Sequence, residues 1–210
     1  MSVIKRLFGK PKIVRPIIDT CNYKDNEQSY CGNSLSKSNV LFITNERNQT
    51  NDIEEFILRE ECEVKKIRLD KDQRVKVGDI IEAGMDDCIG PFQHIIMLYR
   101  ISSKDIDVCE AIYEDLKNIA EYMISTNANG SICIALISEK ELSLQMRATI
   151  RGIESLIQGL GCVLPKHRII INGIVAESII PMNSIMKVII FLSGKYGQVL
   201  TGEIIQMMEE

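Results

Sequence analysis

The residue types that most often bind metals or act as nucleophiles are sparse in this sequence. The chain has only two histidines, His94 and His167, and neither has a second potential ligand at helical spacing, so we expect no metal site. Its seven cysteines form no CxxC pair, and their number is odd. We therefore predict free, reduced, structural cysteines, as for Cys133, which lies within an apolar strand-like run. The seven positions are 21, 31, 62, 88, 109, 133 and 162.

Arginine and lysine side chains offer a second kind of chemistry, the binding of anions. Residues 1–16 contain five basic residues and no acidic one, with apolar residues between them. This pattern is typical of a solvated arm, and its alternative is a peripheral contact with a membrane or an acidic partner. Farther along the chain, Arg47, Arg100 and Arg147 leave open a site for a small anion.

The elements able to position such residues begin at Asn39, after a basic arm and polar linker over residues 1–38. Short apolar or alternating runs predict strands, and apolar residues at helical spacing predict helices. Gly161 is expected to end the fourth of these helices. The predicted strands are 39–44, 63–69, 74–77, 94–99, 130–137, 168–174 and 203–207, and the predicted helices are 52–61, 80–88, 105–125, 141–160 and 182–192.

The alternation of strands with long helices predicts the fold class. Strands separated by helices of this length imply βαβ units and a mostly parallel sheet. Right-handed crossovers place helices on both faces, so residues 39–210 are expected to form one doubly wound, three-layer α/β domain of the Rossmann-like kind. Ligands of such sheets bind beyond the carboxyl ends of the strands, at the switch point where the strand order reverses.

Composition and charge narrow the class of function. A content of 45% hydrophobic and 26% charged residues suits a globular domain, and the net charge of −4 gives no reason to expect nucleic acid as the main partner. The sequence contains no apolar run of about 18 residues and no signal-peptide pattern, so we expect a cytoplasmic protein without a transmembrane helix.

Three segments of the C-terminal half resemble the short-chain dehydrogenase/reductase family. RATIRGIESLIQGLG (147–161) is similar to the long helix after the family's active site, HRIIINGI (167–174) to its I-x-V-N-x-I strand, and FLSGKYGQVLTGEIIQM (191–207) to its closing segment. Residues 130–132 (GSI) also resemble the start of a family strand. The order and spacing of these motifs extend the resemblance over about residues 39–207 and imply the family's fold in shortened form.

The resemblance also locates the family's phosphate loop, TGxxxGxG, at residues 44–51, which begin with Thr44. The family's glycines allow tight turns and close approach of the main chain to a pyrophosphate. Here Asn45, Gln49 and Asn51 replace them, and the stretch contains an acidic residue at position 46. Asparagine tolerates positive φ, whereas a glutamine such as Gln49 rarely adopts it. A further position that could bind a ribose is Asp70, although a solvated carboxylate is the simpler interpretation.

The positions that match the family's catalytic residues also depart from its pattern. Arg100 and its neighbours (98–101, LYRI) stand in place of the family's NNAG and are expected to fill the space beside the cofactor. The YxxxK pair corresponds to Ser143 and Arg147, and the active-site serine to Ser138. A serine has too high a pKa for the tyrosine's task, and arginine cannot transfer a proton near neutral pH.

Two rim segments are shortened or altered. Ala176-Glu177 replaces the proline-glycine that the family has after its sixth strand, and the next predicted helix follows almost at once. The segment between residues 69 and 75 is too short for the usual strand–helix–strand unit, so one helix is expected to be missing.

Together these departures favour a non-catalytic member of the family that needs no cofactor and acts as a dimerising or partner-binding module. The resemblance implies a homodimer, or a heterodimer with another subunit of this kind, through helices 105–125 and 141–160. Their apolar residues are expected to supply one core face and one partner face. The alternatives are an atypical oxidoreductase that uses NAD or NADP in a rebuilt site, and a sensor of a small anion or metabolite in the old cleft.

Overall fold

The computed structural model describes residues 35–45, 57, 62–68, 91–102 and 106–209. The strands are β1 (Asn39–Thr44), β2 (Glu63–Arg68), β3 (His94–Ile101), β4 (Gly130–Ser138), β5 (Ile169–Glu177) and β6 (Ile204–Met207). The α-helices with bounds in this part of the chain are α1 (Ile106–Ser125), α2 (Leu144–Val163) and α3 (Met182–Ser193), and Leu164–His167 and Lys195–Val199 form 3₁₀-helices.

The six strands form one parallel sheet in the order β2-β1-β3-β4-β5-β6. Parallel neighbours need crossover connections, and α1, α2 and α3 lie in the connections after β3, β4 and β5. The chain moves outward from β1 to β2 and then returns to the other side of β1, so the switch point lies between β1 and β3. The predicted doubly wound α/β fold is confirmed.

Helices cover both faces of the sheet. On one face Ile95, Met97 and Tyr99 of β3 pack in a core cluster with α1 and α2. On the other face Ile96 and Leu98 pack in a second cluster with α3. Successive strand residues point to opposite faces, so a strand covered on both sides must be apolar throughout. This is why β1, β3 and β4 stand out in the sequence as unbroken apolar runs.

Helix α2 differs from its prediction at both ends, because it begins at Leu144 and runs to Val163. Gly161 therefore does not end it. This glycine is buried in the last turn against Gly202, which has a φ of 74°. A Cβ atom on Gly161 would lie 2.5 Å from the Gly202 Cα. The glycine is required for close packing of the helix against the segment before β6.

Several predicted elements lie outside the described residues. They are the helix 52–61 apart from Ile57, the helix 80–88, the strand 74–77 and residues 1–34 of the arm and linker. Of the cysteines whose side chains are described, Cys62, Cys133 and Cys162, none forms a disulfide, as predicted. No helix in the described part of the chain is long and apolar enough to cross a membrane.

Candidate functional site

Several of the site residues that the sequence singled out lie at the carboxyl edge of the sheet. Thr44 is the last residue of β1, Arg100 is the second-last of β3, and Ser138 and Glu177 end β4 and β5. Thr44 is buried, whereas the Arg100 side chain is exposed. Because all strands run in the same direction, these ends form one border of the sheet.

Asn45 bridges the sheet at the switch point. Its Oδ1 accepts a hydrogen bond from the Arg100 backbone N–H at 2.7 Å, and its Nδ2 donates to the Arg100 carbonyl oxygen at 3.0 Å. Thr44 is paired with Leu98 in the sheet register. The Asn45 side-chain amide thus bonds to both polar groups of the Arg100 backbone, and it spans the crevice between β1 and β3.

Ser138 and Glu177 are neighbours in the register of β4 and β5. The Ser178 N–H donates to the Ser138 carbonyl oxygen at 2.7 Å, and the Ile180 N–H donates to the Glu177 carbonyl oxygen at 3.0 Å. Both hydrogen bonds fix the turn that follows β5. The Ser138 residue is 6% exposed, and Glu177 is half-buried. Among the described residues, the buried Glu177 Oε2 has no hydrogen-bond partner.

Ser143 and Arg147, the positions that match the YxxxK pair, lie at the start of α2. The Ser143 Oγ accepts the Met146 N–H at 3.2 Å, which makes Ser143 the N-cap of the helix. Arg147 donates its backbone N–H to the Ser143 carbonyl oxygen at 3.0 Å, and its side chain is exposed. The serine hydroxyl therefore has a structural partner, and this capping role fits a serine that precedes a helix.

A buried tyrosine–aspartate pair lies beside this edge and was not predicted. The Tyr99 hydroxyl donates to Asp115 Oδ2 of α1 at 3.1 Å, and both residues are buried. Burial, and next the Asp115 charge, raise the pKa of Tyr99 well above its usual value, so the phenol stays protonated. A signal was present in the sequence, because Asp115 falls on the apolar side of the predicted helix and a buried tyrosine needs a partner for its hydroxyl.

A histidine–serine contact lies at the opposite, amino edge of the sheet. His94 Nδ1 is 2.8 Å from Ser131 Oγ, and Ser131 Oγ donates to the Ser193 carbonyl oxygen at 2.8 Å. Because the hydroxyl proton goes to Ser193, His94 Nδ1 must be the donor to Ser131. Burial lowers the pKa of His94 to about 4. The histidine therefore does not act as a base toward this serine, and the contact is structural.

The remaining predicted site residues, Gln49, Asn51 and Asp70, lie outside the described residues. The same is true of the acidic and basic residues at positions 46 and 47. Within the described part of the chain, no cluster of three or more histidine, cysteine or acidic residues could hold a metal ion.

The apolar residues of α1 and α2 face inward, which corrects one prediction. Ten apolar residues were expected to divide between a core face and a partner face. Nine of them are buried in the core, and Leu156 is partly buried against it. The nine are Ile112, Leu116, Ile119, Ala120, Met123, Met146, Ile150, Ile153 and Ile157. The outward face of α2 instead carries small residues. These are Ala148, Gly152, Ser155 and Gly159, and all four are exposed.

Comparison with known proteins identifies the fold. A short-chain dehydrogenase from Mycobacterium smegmatis superposes with a TM-score of 0.65 at 11% identity, covering 89% of this chain and 98% of that one. A short-chain dehydrogenase from Leptospira borgpetersenii, solved with bound NAD+, gives a TM-score of 0.64 at 10% identity, covering 88% of this chain and 96% of that one. A putative 3-oxoacyl-reductase from Bacillus thuringiensis gives 0.62 at 14% identity, with coverages of 82% and 97%.

No protein-family model matches the sequence, and a search of curated proteins finds no match. The resemblance that the sequence motifs suggested is thus confirmed for the fold. The chain has the Rossmann-like fold of short-chain dehydrogenases/reductases.

Proposed function

We propose that this chain is a non-catalytic protein with the short-chain dehydrogenase/reductase fold, and that it acts as a dimerising or partner-binding module. The observation that carries the proposal is the Asn45 side chain, which bonds to the main chain of Arg100 across the switch point. A dinucleotide lies over this crevice in sheets of this kind.

The residues present at the crevice do not fit a dinucleotide. A glycine after the first strand leaves room for a pyrophosphate against the main chain, whereas Asn45 carries a side chain there, and its amide bonds across the crevice. The Arg100 N–H is already used by the Asn45 Oδ1. A bound cofactor would have to displace both hydrogen bonds.

The start of α2 supports the same proposal. In the family pattern this region supplies a tyrosine and a lysine, which exchange a proton and hold the ribose. Here Ser143 has a helix-capping hydrogen bond, and Arg147 projects from an exposed position. The guanidinium of an arginine is a poor group for donating or accepting a proton in catalysis. Neither residue is suited to proton transfer.

The outward faces of α1 and α2 support association with a partner. Lys117 is paired with Glu121 at 3.9 Å on α1, and Arg151 with Glu154 at 2.6 Å on α2. The exposed charges that remain outside these two pairs are negative on α1 and positive on α2. Opposite charges favour α1 of one subunit against α2 of a second, and a two-fold axis makes that contact twice. The exposed charged residues are Glu110, Glu114, Lys117 and Glu121 on α1 and Arg147 and Arg151 on α2.

The first test separates this proposal from the oxidoreductase alternative, which is favoured by the bound NAD+ in the Leptospira neighbour. NADH and NADPH are titrated into the protein by calorimetry. We expect no saturable heat in the millimolar range. Saturable binding of either coenzyme, followed by its turnover with an added carbonyl compound, would establish the alternative.

The second test addresses association. Light scattering over a wide concentration range is expected to give twice the mass of one chain. Replacing Gly152 and Gly159 with leucine should shift the protein to a monomer without unfolding it, because nothing lies within 4 Å of a Cβ at either position. Asn183→Leu, on the exposed side of α3 at the opposite face of the sheet, is the matched control. A wild-type protein that stays monomeric at the highest concentration contradicts self-association.

A further inference from the structure

Glu177 has an environment that nothing in the sheet explains. It ends β5 at the carboxyl edge, and the register of β4 and β5 puts it beside Ser138. One carboxylate oxygen, Oε2, is buried and has no hydrogen-bond partner among the described residues. A buried carboxylate oxygen normally accepts hydrogen bonds, because it has lost those of water.

Hydrogen bonds of the turn anchor the backbone at Glu177. The Ser178 N–H is bonded to the Ser138 carbonyl oxygen, and the Ile180 N–H to the Glu177 carbonyl oxygen. The turn after β5 is therefore tied both to β4 and to itself. The residue that carries the carboxylate is thus anchored at its backbone, and part of its side chain is exposed to solvent.

Ser138 lies beside Glu177 in the sheet register, and the segments that follow β4 and β5 carry two exposed apolar side chains. Ser138 is 6% exposed, and its hydroxyl can donate or accept one further hydrogen bond. Leu144, the first residue of α2, is 77% exposed, and Ile179, two residues after Glu177, is 57% exposed. They belong to the segments that leave β4 and β5 at this edge. An anionic acceptor with apolar neighbours suits a ligand with a cationic donor and a hydrocarbon tail.

We infer that Glu177, with Ser138, forms a binding site for a small alkylammonium ion at the carboxyl edge of the sheet. The ammonium N–H groups donate to the Glu177 carboxylate and to the Ser138 hydroxyl, and the alkyl chain lies along Leu144 and Ile179. This site is separate from the switch point that Asn45 bridges, and it does not depend on dimer formation.

The experiment measures binding of n-hexylammonium chloride to the full chain by calorimetry and by thermal shift. We expect saturable binding in the millimolar range and a rise in Tm, because the ligand binds only the folded state. Glu177→Gln should bind about tenfold more weakly or not at all, since the charge-assisted hydrogen bond is lost. Ser138→Ala should bind more weakly than wild type and more tightly than E177Q.

Controls separate this site from general attraction between charges. Glu139→Gln removes an exposed acid next to Ser138 and should leave binding unchanged. Hexan-1-ol lacks the charge and hexyltrimethylammonium lacks the N–H donors, so both should bind less well than hexylammonium. Equal binding by E177Q and wild type, equal binding of hexan-1-ol, or no saturable binding by wild type would each overturn the inference.

The stability of the variant without ligand gives an independent check. Because Glu177 Oε2 has no donor in the described part of the protein, E177Q should unfold cooperatively with a Tm no lower than that of wild type. A large drop in Tm would mean that Glu177 is already paired within the protein, and the inference would be wrong.

Discussion

Two asparagine side chains take the place of main-chain partners. Asn45 bonds to both polar groups of the Arg100 backbone, and Asn172 donates to the Leu200 carbonyl oxygen and accepts the Glu203 N–H. The amide group carries one acceptor and two donors, which lets it bond to a main-chain N–H and a main-chain carbonyl oxygen at once. At both sites an asparagine at a position of a family motif has a structural role.

His94 makes the stability of the fold depend on pH. Burial lowers its pKa from 6.5 to about 4, so between these values the unfolded chain binds a proton that the folded chain does not. The free energy of unfolding should therefore fall as the pH drops from about 6.5 to 4, by up to about 3 kcal/mol. Above pH 7 the histidine is neutral in both states and makes no such contribution.

The measurement is urea unfolding as a function of pH for wild type and for His94→Asn, whose amide can still donate to Ser131. The difference between the two proteins should grow in favour of the variant as the pH falls through this window. His167→Asn, at an exposed position, is the matched control and should follow wild type. Parallel curves for H94N and wild type would contradict the lowered pKa.

At the scale of single residues, the sequence predicted which motif positions carry unusual residue types better than it predicted which side chains contact one another. It indicated that Ser143, Arg147 and Asn45 depart from the family pattern. It did not predict the Tyr99–Asp115 pair or the unpartnered oxygen of Glu177. Those contacts depend on which strand lies next to which, and that order is not visible in local spacing.

At the scale of elements, helix α2 combines two kinds of glycine. Gly152 and Gly159 are exposed with open space around them, whereas Gly161 is in close contact with Gly202. A glycine inside a helix lowers the stability of the helix by about 1 kcal/mol relative to alanine. Each kind of glycine is therefore expected to have a compensating role. For Gly161 that role is packing within the chain, and for the exposed pair we propose contact with a second subunit.

Gly161→Ala should destabilise the fold by about 1–3 kcal/mol, because its methyl group would meet main-chain atoms of Gly202 and Thr201 that cannot easily move. Gly159→Ala should be neutral or stabilising by up to about 1 kcal/mol, since it gains helix propensity without a clash. Urea unfolding at one protein concentration compares the two variants. The prediction fails if G161A is as stable as G159A.

The elements were predicted well where both faces are covered and less well at their ends. The centres of β1, β3, β4, α1 and α3 follow from hydrophobic runs and spacing alone. The start of α2 was placed three residues too early because Glu141 and Leu142 fit the helical spacing. Ser143 begins the helix instead, since its side chain caps the first turn.

At the scale of the whole molecule, the cysteines report on global unfolding. Cys133 lies in the middle strand β4 at 0% exposure, and burial raises its pKa to about 12, whereas Cys162 on α2 is exposed. Alkylation of the dilute protein at pH 8, followed by peptide mass mapping, should modify Cys162 at least about a thousandfold faster than Cys133. In urea the two rates should become similar. Comparable rates in the native protein would contradict the buried position of Cys133.

The fold class was predictable from the sequence because the alternation of strands and helices admits few arrangements. The pattern identifies βαβ units, and right-handed crossovers then imply three layers. Which residues of the outer surface are available to contact a partner was not predictable in the same way. The inward apolar stripes of α1 and α2 could be recognised, but small exposed residues such as Gly152 carry no hydrophobic signal that marks them as a contact surface.

The wholly parallel sheet has a consequence for how the chain folds. No strand in the described ranges pairs with a neighbour through a hairpin, and even Asn39 and Glu63, among the nearest partners in sequence, are 24 positions apart. His94, on one of the central strands, pairs with Val40, which comes earlier in the sequence, and with Ser131, which comes later. Such distant pairings carry a large loop-closure entropy and slow folding. Most of this polypeptide must leave the ribosome before its sheet can close, and until then the unpaired strand edges of the nascent chain are open to aggregation.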